Sequence, residues 1–190
     1  MNYQKVANRA KGARVLDCFC FLGGFAIHAA HCGAKEVTGI DQSETAVAAA
    51  TANAQKNGLN NCSFINANVF DWLIEQTKRE AHDEKDLYDL IILDPPSFTR
   101  NRHSVEAAMR GYKEIHLRAL KLLRTGGTLA TFCCSHHVDT ESFQDVILAA
   151  SVDAHKVLRR VETYAQSLDH PIIPIIPETE YLKGFAFEVC

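Results

Sequence analysis

The stretch Tyr88-Asp89-Leu90-Ile91-Ile92-Leu93 constrains the chain most. Apart from Asp89 it is continuously apolar, and it stops at once in Asp94-Pro95-Pro96. A strand without polar alternation is buried on both faces, as in a parallel sheet covered by helices on each side. The rest of the chain fits that arrangement. Short strands are expected at 14–18, 36–40, 63–67 and 128–133, and helices at 24–32, 43–57, 69–78, 105–123 and 141–154. Ser43 reads as an N-cap, Gly33 and Gly58 as helix stops, and Gly126-Gly127 as the end of the long helix. Strands separated by helices imply right-handed crossovers and an α/β fold with a mostly parallel sheet. Two further extended stretches, 157–164 and 184–189, flank a Pro-rich loop with no helix between them, which predicts an antiparallel addition.

At 190 residues the chain fits one domain, 1–190. No apolar run reaches the ~18 residues of a membrane helix, and Met1-Asn2-Tyr3-Gln4-Lys5 is not a leader-like apolar stretch. The seven cysteines are odd in number and form no paired C-x-x-C motifs. They are expected to be reduced and mostly buried in a cytoplasmic protein, with no metal site. A formal charge of −3 excludes a surface that is basic throughout. It conceals a local excess, because residues 99–124 hold seven Arg and Lys against two Glu.

In such sheets ligands bind beyond the carboxyl ends of the strands. The first end reads Asp17-Cys18-Phe19-Cys20-Phe21-Leu22-Gly23-Gly24-Phe25. Paired glycines permit a sharp turn and close approach of a ligand, or simply a tight turn. Asp41 ends the second strand, 24 residues after Asp17. It can accept hydrogen bonds from ribose hydroxyls or complement a helix N-terminus. Asn68, with Val69 and Phe70, can meet an adenine edge and face or cap the next helix. Asp94-Pro95-Pro96 holds the chain extended with free carbonyls. At the fifth end, Cys133 and Cys134 point to opposite faces, so at most one enters the crevice. A thiolate there is a strong nucleophile if cations lower its pKa, a part that His136 and His137 could support.

Taken together these residues resemble class I S-adenosylmethionine-dependent methyltransferases, and more narrowly the large-subunit ribosomal RNA 5-methylcytosine methyltransferases. The resemblance runs through 17–25, 37–43, Asp94-Pro95-Pro96-Ser97-Phe98, Arg110-Gly111-Tyr112-Lys113-Glu114, 122–129 and 131–135. It continues through Asp169-His170-Pro171 and Tyr181-Leu182-Lys183-Gly184-Phe185. It implies a Rossmann-like seven-stranded sheet with an antiparallel C-terminal strand. It implies S-adenosylmethionine held by Asp17, Phe19, Cys20, Gly23, Gly24, Asp41, Gln42, Ser43, Asn68, Val69, Asp94 and Pro95. The family's S-C-S segment matches Cys133-Cys134-Ser135, which makes Cys134 the nucleophile, and Asp94 would stabilise its adduct. Ser97 stands where other RNA cytosine-C5 enzymes carry a second cysteine, and the base that removes the C5 proton is unassigned among His136, His137, His170 and water.

The implied partner is ribosomal RNA, with Arg100, Arg102, Arg110 and Lys113 on its phosphates; a homodimer is compatible, and neither membrane nor metal is expected. Family members carry an N-terminal RNA-binding region. Only about a dozen residues precede the first strand here, so the chain is expected to be the catalytic domain alone. Methylation at a base nitrogen, which needs no covalent activation, and a non-catalytic RNA-binding scaffold are the alternatives. A nucleotide-dependent oxidoreductase fits less well, because the third glycine of G-x-G-x-x-G is missing.

Overall fold

In the computed structural model, which describes residues 1–78, 86–99 and 104–190, β4 (Tyr88–Leu93) lies mid-sheet. Its neighbours are β1 (Arg14–Cys18) and β5 (Leu123–Cys133), both parallel to it. Beyond β1 come β2 (Glu36–Asp41) and the edge strand β3 (Cys62–Asn66), also parallel. Beyond β5 come β7 (Lys183–Val189) and then β6 (Leu158–Tyr164), with β7 antiparallel to both neighbours. The order is β3-β2-β1-β4-β5-β7-β6, so the chain reverses its direction of travel between β1 and β4.

Alternate residues of β4 feed two cores, which is why the run must be apolar throughout. Leu90 and Ile92 pack with Val6 of α1 (Asn2–Ala7) and Phe25 and Ala26 of α2 (Gly24–His31). The Ala-rich α3 (Glu44–Lys56) lies on that side as well, burying Ala46, Ala50 and Ala54 at four-residue intervals. Ile91 and Leu93 pack on the other face against α4 (Val69–Thr77), α5 (Val105–Leu122) and α6 (Thr140–Asp153). His116 of α5 is fully buried, bonded to Tyr112 O (2.6 Å) and Thr131 Oγ1 (2.8 Å). Burial lowers it to about 4, so it clips α5 to β5 as a neutral ring.

Two local expectations change. The short helix α1 is not visible in the sequence pattern, because one and a half turns carry no period. The Gly126-Gly127 pair does not separate helix from strand. Pairing starts already at Leu123 with Tyr88, then jumps to Thr128 with Leu90, leaving 124–127 as an irregularity with Gly126 at φ 75°.

The glycine of Tyr181-Leu182-Lys183-Gly184-Phe185 has a packing reason. Gly184 lies opposite both Phe132 and Tyr164 in the ladders, and their rings stack 5.2 Å apart. A Cβ there would meet Phe132 Cδ1 and Tyr164 Cβ, each at 2.8 Å. Gly184→Ala should therefore lower stability by about 1–3 kcal/mol. Chemical denaturation checks this; an unchanged midpoint would show that the rings move aside freely.

Candidate active site

The carboxyl ends of β1, β2, β4 and β5 surround a cavity of about 680 Å³. Its walls include Phe19, Asp41, Gln42, Asn68, Val69, Asp94, Pro95 and Cys134, all from the expected set. Volumes of this order suit a small organic ligand. Phe19, Phe70 and Phe98 form one side, with ring centroids 5.7–6.4 Å apart. A second cavity of about 290 Å³ meets the first at Asp94, Tyr181 and Leu182, and reaches Tyr3, Phe25 and His170.

The loop after β1 is wound tightly. Phe19 (φ 64°) and Phe21 (φ 48°) are left-handed without being glycine, and Gly23 (φ 83°) follows. Such non-glycine residues cost on the order of 1 kcal/mol each and mark functional turns. The loop is held by Cys20 N–H to Ile40 O (3.0 Å) and Gly23 N–H to Cys20 O (2.8 Å). Asp41 fixes it from β2, accepting from Phe21 N–H and Ser43 N–H, each at 2.9 Å. Each oxygen keeps a lone pair for a further donor.

Several expected residues act through the backbone or through packing. Cys20 turns its sulfur inward towards Gly39, away from the cavity. Ser43 caps α3 through Ala46 N–H. Gly23 caps α2, and Gly24 is small because the Tyr3 ring occupies the place of a Cβ. Asn68 caps the next helix, one of the two parts the sequence allowed, and also lines the cavity. Its oxygen accepts from Phe70 and Asp71 N–H and caps α4, so only its amide NH₂ is free towards the cavity.

Asp17 is 1% exposed; it accepts from Ala26 N–H (2.9 Å) through Oδ2, while Oδ1 is buried without a partner. Burial, reinforced by Asp94 and Asp41 and opposed by the Ala26 bond, pushes it up to about 8. Burial raises Asp94 to about 6. Asp17 thus feels Asp94 and Asp41, which line the cavity as it does not, and a cation held by those two would favour its ionised form. Tyr3 stands beside them, its phenol raised by burial and then by Asp94 and Asp17.

The two adjacent cysteines separate as the pleat requires. Cys133 is fully buried in the core, its sulfur 3.3 Å from Tyr112 Oη. Cys134 enters the cavity. Its turn is tied from two sides. Thr99, just past the double proline, hydrogen-bonds Ser135 through their hydroxyls. Lys183 donates its ammonium protons to Ser135 O and Tyr181 O (2.8 Å). Burial, then Cys133 and Asp94, raise the Cys134 thiol, and Lys183 is the cation that opposes them. His136 and His137 do not line the cavity: both are exposed, and the His136 ring lies tilted against Tyr181, centroids 5.6 Å apart.

The basic segment is largely neutralised. Arg100 and Arg102 lie outside the described residues. Arg110 pairs with Glu106 (2.6 Å) and Lys113 with Asp153 (2.8 Å). Arg118 pairs with Glu114 and Arg124 with Asp89. Exposed pairs of this sort are weak and exchange partners readily.

Sequence reasoning missed Tyr3, which lies on a helix too short to announce itself. Tyr181 stands in a sequence motif that gives it no role, and only the fold of 165–182 brings it to the cavities that Asp94 lines.

Among the described residues no helix is long and apolar enough to cross a membrane. Known proteins match this arrangement. A ribosomal RNA large subunit methyltransferase I of Erwinia tasmaniensis is 42% identical over 188 residues, covering 98% of this chain and 46% of that protein. One of Photobacterium profundum is 39% identical over 185 residues, covering 96% and 45%. The chain thus spans about half the length of the curated relatives it matches. SMU.776, assigned as a methyltransferase and solved with SAH, superposes with a TM-score of 0.84 at 24% identity, over 99% of this chain and 48% of that one. An rRNA methylase of Streptococcus thermophilus gives 0.63 at 16%, over 100% and 94%; both likenesses show the fold. The profile of the methyltransferase domain matches residues 9–172, from α1's end through β6, and by that match and this crevice the chain belongs to the methyltransferase domain family.

Proposed function

We propose that the protein is an S-adenosylmethionine-dependent RNA methyltransferase that forms 5-methylcytosine in large-subunit ribosomal RNA, with Cys134 as covalent nucleophile. The observation that carries this reading is the sharing of one cavity by Cys134 and Asp94 with Asp41 and Asn68. The relatives' printed name supports the RNA class.

The residues fit the cofactor. S-adenosylmethionine bears a sulfonium and an ammonium against one carboxylate, a net cation, and the Asp41 and Asp94 carboxylates line the cavity where it would sit, with the buried Asp17 near enough to feel both. The unpartnered Oδ1 of Asp17 suits the same charge. Asp41 would take the ribose hydroxyls. Asn68 would donate to an adenine ring nitrogen, with Val69 and Phe70 against the ring face. When bound, the cofactor supplies an electrophilic methyl group.

C5 of cytosine is a poor nucleophile, and Cys134 changes that. Its thiolate adds to C6 and leaves C5 as an electron-rich enamine carbon. Asp94, whose pKa burial raises to about 6, would hold the N3/N4 edge, its protonated form donating to N3 and stabilising the negative charge that builds there. The base must be unpaired or flipped to reach both groups.

The test is trapping with ribosomal RNA that contains 5-fluorocytosine. A denaturation-resistant protein–RNA complex that needs S-adenosylmethionine is expected. Methyl transfer without a complex would move the reaction to a base nitrogen, and cofactor binding with no transfer would leave a scaffold.

A further inference from the structure

The cytosine-C5 reading leaves one step unassigned: after methylation a proton must leave C5. We propose that Tyr181 takes this proton and passes its own to His170. The inference rests on the reading above and extends it to product release.

Tyr181 lines the cavity that holds Cys134 and Asp94, and also the adjoining one that holds Asp94 and His170. Its hydroxyl lies 3.2 Å from His170 Nδ1. His170 Nε2 faces the Asp169 carboxylate at 3.9 Å. In the tautomer with the ring proton on Nε2, the Nδ1 lone pair accepts from the phenol. Gln166 fixes both partners: its amide donates to His170 O (2.6 Å) and Thr179 O (2.7 Å), and its oxygen accepts from Tyr181 N–H (3.2 Å).

The other groups are turned elsewhere. Ser97, in the place of a second cysteine, donates its hydroxyl proton to Thr99 O (3.0 Å). His136 touches the Tyr181 ring but lines a different groove, with Asp139 and Glu178, and neither of the two cavities, and His137 is exposed.

The step balances. The C5–H electron pair becomes the C5=C6 double bond. The C6–S bond breaks, and its pair leaves on the Cys134 thiolate. The C5 proton goes to the Tyr181 oxygen as the phenolic proton moves to His170 Nδ1, giving an imidazolium that returns its proton to solvent.

The test uses Tyr181→Phe, which removes one oxygen, and His170→Gln, with ordinary cytosine RNA and methyl-labelled cofactor. Turnover should fall roughly 10²-fold or more in each. Methylation should still occur once, so a covalent protein–RNA complex carrying the label accumulates. A merely structural role would not produce that species. Wild-type turnover in either variant would overturn the proposal, as would lost turnover without labelled complex while cofactor binding is unchanged. Failure of the wild type to trap 5-fluorocytosine RNA would instead bring down the cytosine reading, and the relay with it.

Discussion

Cys134→Ser should abolish methyl transfer, by roughly 10³-fold or more, while S-adenosylmethionine binds as before. The serine hydroxyl is a far weaker nucleophile towards C6, and nothing else in the cavity replaces the sulfur. Cys133→Ser is the control. Cys133 lies on the opposite face against Tyr112, so its loss is a core change that leaves turnover within a few-fold. Burial holds the Cys134 thiol above its ordinary range, so the thiolate is scarce at neutral pH in the free protein. The wild-type rate should accordingly keep climbing with pH through the usual thiol range. Single-turnover methylation and cofactor titration on both variants measure this. Wild-type turnover in Cys134→Ser would move the nucleophile elsewhere.

Asp17→Asn should make the free protein more stable at neutral pH, by on the order of 2–4 kcal/mol. The carboxyl is 1% exposed and rises from 3.8 to about 8 on folding. Between those values the folded chain holds a proton that the unfolded chain releases. Wild-type stability is therefore full below about pH 4 and falls as pH climbs towards 8. Asparagine cannot ionise, and its oxygen keeps the bond from Ala26 N–H. The two melting curves should meet near pH 4 and diverge above it; parallel curves would refute the assignment. A cationic cofactor draws Asp17 back to its carboxylate, so wild-type binding near neutral pH should release a proton. Calorimetry in two buffers of different ionisation enthalpy detects this release, which Asp17→Asn should abolish.

The sheet was legible because its signals are local. The Tyr88–Leu93 run, apolar but for Asp89, gave β4 with its observed ends, and Ser43, Gly33 and Gly58 marked real helix limits to within two positions, whereas Gly126-Gly127 lies four residues past the end of α5. Strand-end residues could be named because the fold itself gathers them. What stayed hidden depends on encounters between distant segments. The cap by Asn68 could be read from its place before α4, but not that its NH₂ is left over on the cavity wall. The charge excess of 99–124 reads as a patch, but Lys113 meets Asp153 and Arg124 meets Asp89 across the fold. The Tyr181–His170 bond needs the loop before β7 to fold back on itself, with Gln166 as clasp.

The lysine that braces the Cys134 turn has a consequence for biosynthesis. Lys183 opens β7, the last strand made, and β7 slots between β5 and β6, both of which leave the ribosome earlier. Until it arrives, the open edge of β5 is unpaired and Ser135 O has no ammonium to hold it. A chain that ends before β7 therefore contains β1 to β5 and the cavity residues on their ends, but lacks the brace on the Cys134 turn. The turn that carries Cys134 gains its Lys183 brace only when that ladder closes, so a nucleophile at this position would become competent only with the sheet complete.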